Sequence, residues 1–203
     1  MTKLAKIKKS SGNSLEQQIN FISSLFSNTH LRKEYLSFIV DNLKIWTQCE
    51  CVGIRVINEN GIMPYEAFVG FSYEFWEHEN WLSIREHQCG CIRVATGKPD
   101  PLDLQILTSY GSLWTNNLQK FGQTIPEESY GRYRGKCIEC GFKSFAVIPI
   151  RYEGKVIGLI HIADSRKDTL PTDKISLIES VSGAIGQIIA RFIAEETEAL
   201  NLI

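Results

Sequence analysis

The stretch KSFAVIPIRYEGKVIGLIHIAD, residues 143–164, constrains this chain more than any other. Two apolar, β-branched runs are separated by Glu153-Gly154, the short break that closes a β-hairpin. A second hairpin signal lies upstream in CVGIRVINENGIMPYEAFVGF (51–71). There Val52, Ile54 and Val56 alternate with Gly53, Arg55 and Ile57, and Asn60-Gly61 supplies a tight turn. Between the two, residues 72 to 140 form an irregular segment rich in aromatics and short turns, with no linker composition to mark a domain boundary.

Helical spacing frames the hairpins. Leu15, Ile19, Ile22 and Phe26 recur at helical intervals, LRKEYLSFIVDNLKIW (31–46) does the same, and Pro171-Thr172 opens a periodic run to about Glu198 that carries Ile178, Val181, Ile185, Ile188 and Phe192. This order predicts an α+β fold, an α/β sandwich whose antiparallel β-sheet has the N- and C-terminal helices packed on one face. The expected divisions are a basic tail over 1–13, an N-terminal helix over 14–34, and one domain with a long C-terminal helix over 35–203. At 1.5 Å per residue the last helix reaches about 40 Å, longer than a typical strand. An overhanging stripe at Ile185, Ile188, Ile189 and Phe192 then predicts a homodimer built on terminal helices, with Ile19 and Ile22 of the leading helix beside it. The alternative is that the chain's own leading helices cover the stripe.

Charge and hydropathy exclude several classes. With 22 basic and 23 acidic residues, the net charge of -1 gives no field for nucleic acid or anionic lipid. The Lys3, Lys6, Lys8 and Lys9 cluster reads as a solvated tail. It runs into polar SGNSLEQQ with no apolar signal-peptide core, and the longest apolar runs, FAVIPI and VIGLIHIA, fall short of the roughly 18 residues of a membrane span. A cytoplasmic chain with no membrane partner is expected, in which the six cysteines are not staples.

Four of those cysteines form two close pairs, Cys89-Gly-Cys91 and Cys137-Ile-Glu-Cys140. Two thiolates from each of two turns suit zinc or an iron-sulfur cluster, and the spacing does not separate the two. A reversible thiol-disulfide switch and inert buried cysteines are the other readings. Cys49 and Cys51, two apart at the start of the first strand, are expected to be buried together on one face. His161 reads as a core residue, His78 and His87 as candidate ligands, and His30 as surface. The aromatics Tyr65, Phe71, Tyr73, Phe75, Trp76, Trp81 and Trp114 read chiefly as core.

The strings CECVGIRV (49–56), PYEAFVGFSYEFWEHENWL (64–82), CGCIRVATG (89–97), GSLWTNN (111–117) and KCIECGFKSFAVIPI continuing to GLIHIAD (136–164) resemble the GAF domain. The likeness is to its cysteine-containing subgroup, found beside PAS domains and histidine kinases in sensors, and it covers about residues 35 to 195. It departs in having Ser83 where many such modules have cysteine, and in having both Cys137 and Cys140 where one cysteine is usual. The resemblance implies a GAF-type fold, a small-molecule or redox sensing role, dimerisation through terminal helices, and a ligand pocket between the sheet and the middle segment. By that resemblance Arg55, Tyr65, Trp114 and Asn116 are the candidate ligand-binding residues. Arg55 faces either solvent or a pocket anion. With no output segment in these residues, a signal is expected to leave by the helices or through a separate histidine kinase or regulator. Some GAF proteins reduce free methionine sulfoxide with cysteines, but the strings of those reductases are missing, so a sensor is expected rather than a thiol-based redox enzyme or a purely structural dimerisation unit.

Overall fold

Both hairpins form as expected and join into one sheet. The computed structural model describes residues 18–20, 22–23, 25 and 31–202, apart from the side chains at 130 and 131. Helix α1 (Arg32–Thr47) leads into β1 (Cys51–Val56), β2 (Tyr65–Val69), α2 (Tyr73–Glu79), α3 (Gly90–Thr96), β3 (Leu113–Thr115), α4 (Leu118–Gly122), α5 (Lys136–Glu139), β4 (Ser144–Tyr152), β5 (Lys155–Asp164) and α6 (Thr172–Asn201). Short 3-10 turns lie at Pro101–Gln105 and Glu127–Arg132. The strand order is β2-β1-β5-β4-β3, every neighbouring pair antiparallel. The basic tail lies outside the described residues, as does His30.

Strand alternation divides the interior into two cores. Val52, Ile54 and Val56 of β1, Ala146, Ile148 and Ile150 of β4, and Ile160 and Ile162 of β5 point to α1 and α6. Cys51, Tyr65, Phe145, Val147, Leu159 and Ala163 point the other way. The terminal helices share one face, as expected. The opposite face is also covered, by α3 packed on β4 and β5 and by the rest of the middle segment, so β1 is buried along its whole length.

Several expectations need correction. In α6, Ile185, Ile189 and Phe192 do not overhang; they are buried against the sheet and α1, with Phe192 5.8 Å from the Tyr35 ring. Ile188 is only partly buried against the same core. By length and composition α6 passes as a membrane span (mean hydropathy 1.4 over 18 residues), contrary to the reading of the shorter runs, yet its apolar stripe is spent on this core. Cys49 and Cys51 fall into different cores, because β1 begins only at Cys51 and strand parity does not extend to Cys49. Tyr73 and Trp81 are exposed, at 71% and 64%. The apolar residues left outside on α1 are Leu31, just before it, Phe38 and Ile45, a seven-residue repeat that makes one stripe.

Helix α6 touches its strand through a glycine. A Cβ on Gly186 would stand 2.2 Å from the Arg151 carbonyl oxygen, whereas one on Gly183 would meet nothing within 4 Å. The two alanine substitutions therefore have opposite signs. Gly183→Ala is expected to raise stability by about 0.5–1 kcal/mol through helix propensity, and Gly186→Ala to lower it by about 1–3 kcal/mol by forcing helix from strand. Urea midpoints of the two variants check this.

Candidate thiol site

The site lies on the sheet face away from the terminal helices. Cys89 is the extended residue that precedes α3, and Cys91 sits in that helix's first turn. Gly90 between them lies close to the Leu113 side chain, a Cβ there being only 3.1 Å from Leu113 Cδ1. Cys137 arrives from the four-residue α5, which begins after Gly135 (φ 74°), a left-handed backbone that favours glycine. Gln119 of α4 fixes α5 by donating from Nε2 to the carbonyls of Ile138 and Phe142. Cys89, Cys91 and Cys137 then line one cavity of about 60 Å³ with Glu79, Arg93 and Arg134.

The three sulfurs interact. Cys89 and Cys91 share one charge between them: the interaction with Cys91 brings Cys89 down to about 7, and the interaction with Cys89, then burial, pushes Cys91 well up. Burial, reinforced by the Cys89 charge, pushes Cys137 up as well. Cys140 is exposed at the outer end of α5. The structure thus brings together three of the four expected metal-ligand cysteines, and among the described residues no group of three or more His, Cys, Asp or Glu side chains is arranged to hold a metal ion. His78 and His87 are engaged elsewhere: His78 Nδ1 pairs with the Glu74 carbonyl at 2.8 Å, and His87 Nδ1 accepts from the Ser83 amide at 3.0 Å.

Beneath Cys91 lies Arg55, 1% exposed. A register shift between Ile54 and Arg55 sets it opposite Tyr65, with its guanidinium 3.7 Å over the Tyr65 ring. Its Nη1 donates to the Met63 carbonyl at 2.7 Å, while its Nε has no hydrogen-bond partner among the described residues. The ionisable groups acting on it are Tyr65, Cys91 and then Glu79, and Glu79 is already paired with Arg134 at 3.0 Å. A buried guanidinium keeps its charge and needs a counter-charge. Among the thiols Cys91 acts on Arg55, and the cation that acts on Cys89 is Arg93. Tyr65 Oη in turn hydrogen-bonds His161 Nδ1 at 2.7 Å, and burial, then the Arg55 charge, hold His161 down at about 3.

Of the four candidate ligand-binding residues, Arg55 and Tyr65 stand under the cavity, and Trp114 and Asn116 do not. Leu113 takes the thiol face of β3, so Trp114 turns to the helical core. Trp114 Nε1 and Asn116 Nδ2 both donate to the Leu170 carbonyl, at 3.0 and 2.8 Å, and tie down the turn before α6.

A strap that sequence reasoning missed borders the cavity. Three consecutive residues each reach a buried carboxylate: Arg132 pairs with Asp100 at 2.7 Å, Tyr133 Oη donates to Asp103 at 3.1 Å, and Arg134 pairs with Glu79. Arg93 of α3 joins it, gripping Asp103 through two hydrogen bonds of 2.5 and 2.9 Å. The Asp-Pro-Leu-Asp string (100–103) is a recognisable capping box around Pro101. Nothing in it signals the distant arginines.

Helices on one side of a five-stranded antiparallel sheet and a small cavity beneath a wandering segment on the other make this a GAF fold. Residues 123–190 match the family model of the GAF domain. No curated protein matches the chain. Among solved structures it is similar to the GAF domain of a phosphoenolpyruvate-protein phosphotransferase from Acinetobacter (15% identity, 91% of this chain and 97% of that one, TM-score 0.65). It is similar also to a two-component sensor histidine kinase domain from Sinorhizobium meliloti (15% identity, 84% and 99%, TM-score 0.59). A third likeness is to a free methionine-R-sulfoxide reductase from Neisseria meningitidis in complex with its substrate (11% identity, 91% of each chain, TM-score 0.63).

Two substitutions test the electrostatics. Arg55→Met removes the buried charge, so the first proton of the Cys89/Cys91 pair is expected to leave at higher pH. Alkylation of Cys89 at pH 7 then slows by roughly tenfold for each pH unit by which that proton is retained. Iodoacetamide kinetics followed by peptide mapping measures it. His161, neutral in the folded chain to about pH 3, takes its proton near pH 6.5 when unfolded. Its linkage therefore costs stability as pH falls from 6.5 towards 3, by about 1.4 kcal/mol per pH unit. His161→Gln is expected to flatten that slope by one proton in urea titrations between pH 4 and 7.

Proposed function

We propose that the chain is a sensory GAF module, working in a reducing cytoplasmic setting, whose input is the thiol cavity and whose output is the packing of its terminal helices in a homodimer that addresses a separate histidine kinase or regulator. One observation carries this reading: Cys89, Cys91 and Cys137 line one cavity from two segments, above a buried arginine that no carboxylate hydrogen-bonds among the described residues. Such a site holds one charge balance, and any ligand or oxidant that changes the thiols disturbs it. The face behind it bears α6 on β4. The exposed stripe Leu31, Phe38, Ile45 supports a second copy as the partner. Light scattering tests this half of the proposal: a dimer at micromolar concentration that Phe38→Glu converts to a folded monomer is expected, and a monomeric parent chain would overturn it.

A second reading uses the four cysteines as ligands of zinc or an iron-sulfur cluster. Three sulfurs already share the cavity, and Cys140 lies one turn from Cys137. It requires α5 to turn Cys140 inward. Zinc, or iron with sulfide, at about one site per chain in protein purified without oxygen and lost in Cys140→Ser would establish it. A metal-free chain overturns this second reading. Reduction of free methionine sulfoxide is disfavoured by size, since a cavity of about 60 Å³ holds a few waters rather than an amino acid. No methionine is expected in a turnover assay with a dithiol reductant.

A further inference from the structure

The cavity and the strap together select by size. Room for a few molecules the size of water lies over Cys89, Cys91 and Cys137, and the ties of Arg132, Tyr133 and Arg134 to buried carboxylates hold the strap at its border. A glutathione-type disulfide is too large to enter, whereas hydrogen peroxide is little larger than water. The sulfurs also form a sequence from interior to solvent: Cys91 is buried, Cys89 and Cys137 are half-buried on the same cavity, and Cys140 is exposed. Cys140 is the residue that closes α5, three positions after Cys137, and the two form a C-x-x-C pair.

We propose that this cavity is a thiol switch for small hydroperoxides, in which Cys89 is oxidised, Cys137 closes a disulfide with it, and Cys140 passes that disulfide outward to a dithiol reductant. The proposal rests on the metal-free thiol reading above. The Cys89 sulfur attacks a peroxide oxygen; the S–O bond forms, the O–O bond breaks, and the departing hydroxide takes a proton and leaves as water. Cys137 sulfur then displaces hydroxide from the Cys89 sulfenic acid, and the Cys137 proton leaves with it as a second water. Two thiols are oxidised for each peroxide reduced. Exchange follows when Cys140 sulfur attacks Cys137, releasing Cys89 with a proton and moving the disulfide to the surface. An external dithiol restores Cys137 and Cys140 by two further exchanges and is itself oxidised to the disulfide.

The full chain, reduced and with its metal content measured, is treated with one equivalent of hydrogen peroxide or of cumene hydroperoxide, quenched with N-ethylmaleimide and mapped by mass spectrometry. Hydrogen peroxide is expected to consume two thiols per chain at least tenfold faster than the bulky reagent. The product is a Cys137–Cys140 disulfide in the parent and a Cys89–Cys137 disulfide in Cys140→Ser. Cys137→Ser and Cys137→Ala, checked for folding by circular dichroism, stop at a Cys89 sulfenic acid, which the mass spectrum reads as one added oxygen on the Cys89 peptide. Cys140→Ser oxidises at the parental rate but is reduced by dithiothreitol at least tenfold more slowly. Oxidation beginning at another cysteine, equal rates for the two peroxides, or unchanged reduction of Cys140→Ser overturns the proposal, as does stoichiometric metal on the four cysteines. A chain that switches as described while its dimer and helix packing stay unchanged sustains the proposal and removes the sensory reading instead.

Discussion

Everything in this fold depends on β5 being buried on both sides. It pairs with β1 on one flank and β4 on the other, and its residues alternate between Ile160 and Ile162 on the helical side and Leu159, His161 and Ala163 on the other. A strand with water on neither face needs two covering layers. The terminal helices are one, and the long segment between the hairpins is obliged to be the other. That obligation explains why a segment with little regular structure of its own is nevertheless packed, and why its cysteines end up against a sheet rather than at the surface.

The covering layer brings an electrostatic cost that organises the site. Arg55 occupies a strand position that parity sends into the second core, where an unpaired charge costs several kcal/mol. The cation is held by the Tyr65 ring, the Met63 carbonyl and the neighbouring thiols. The same charge, after burial itself, keeps His161 neutral and leaves it as a hydrogen-bond partner for Tyr65. The residues beneath the thiols thus form one connected set, and altering any member changes the surroundings of the others. The strap is held by Asp100, Asp103 and Glu79, with Asp103 shared between Arg93 and Tyr133, and Glu79 joins the two sets because it pairs with Arg134 and also acts on Arg55.

Much of the architecture is legible in the residues because it rests on local periodicity. The hairpin turns, the strand alternation of Val52, Ile54 and Val56, and the three-and-four spacing of α6 are all short-range signals, and each corresponds to an observed element. The GAF resemblance adds the order of the parts. What fails is whatever depends on parity or on distance. Trp114 sits in the GSLWTNN string, but a three-residue strand gives no alternation from which to tell its face from that of Leu113. Cys49 precedes its strand by two residues and loses the strand's rule. Ile185 and Phe192 look like overhang because nothing in the sequence of α6 says that α1 lies alongside. The strap is invisible for the same reason: Glu79 and Arg134, or Arg93 and Asp103, are neighbours only after the segment has folded back on itself.

The contact of Gly186 with the Arg151 carbonyl has a mechanical meaning. Gly186 lies near the middle of α6, with about 20 Å of helix on either side of it at 1.5 Å per residue. Where helix and strand backbones meet with no side chain between them the two are nearest, and a tilt about that contact moves the two ends of α6 in opposite senses. A displacement where α6 follows the Leu170 anchor of Trp114 and Asn116 would therefore emerge with its sense reversed at the exposed far end of the helix.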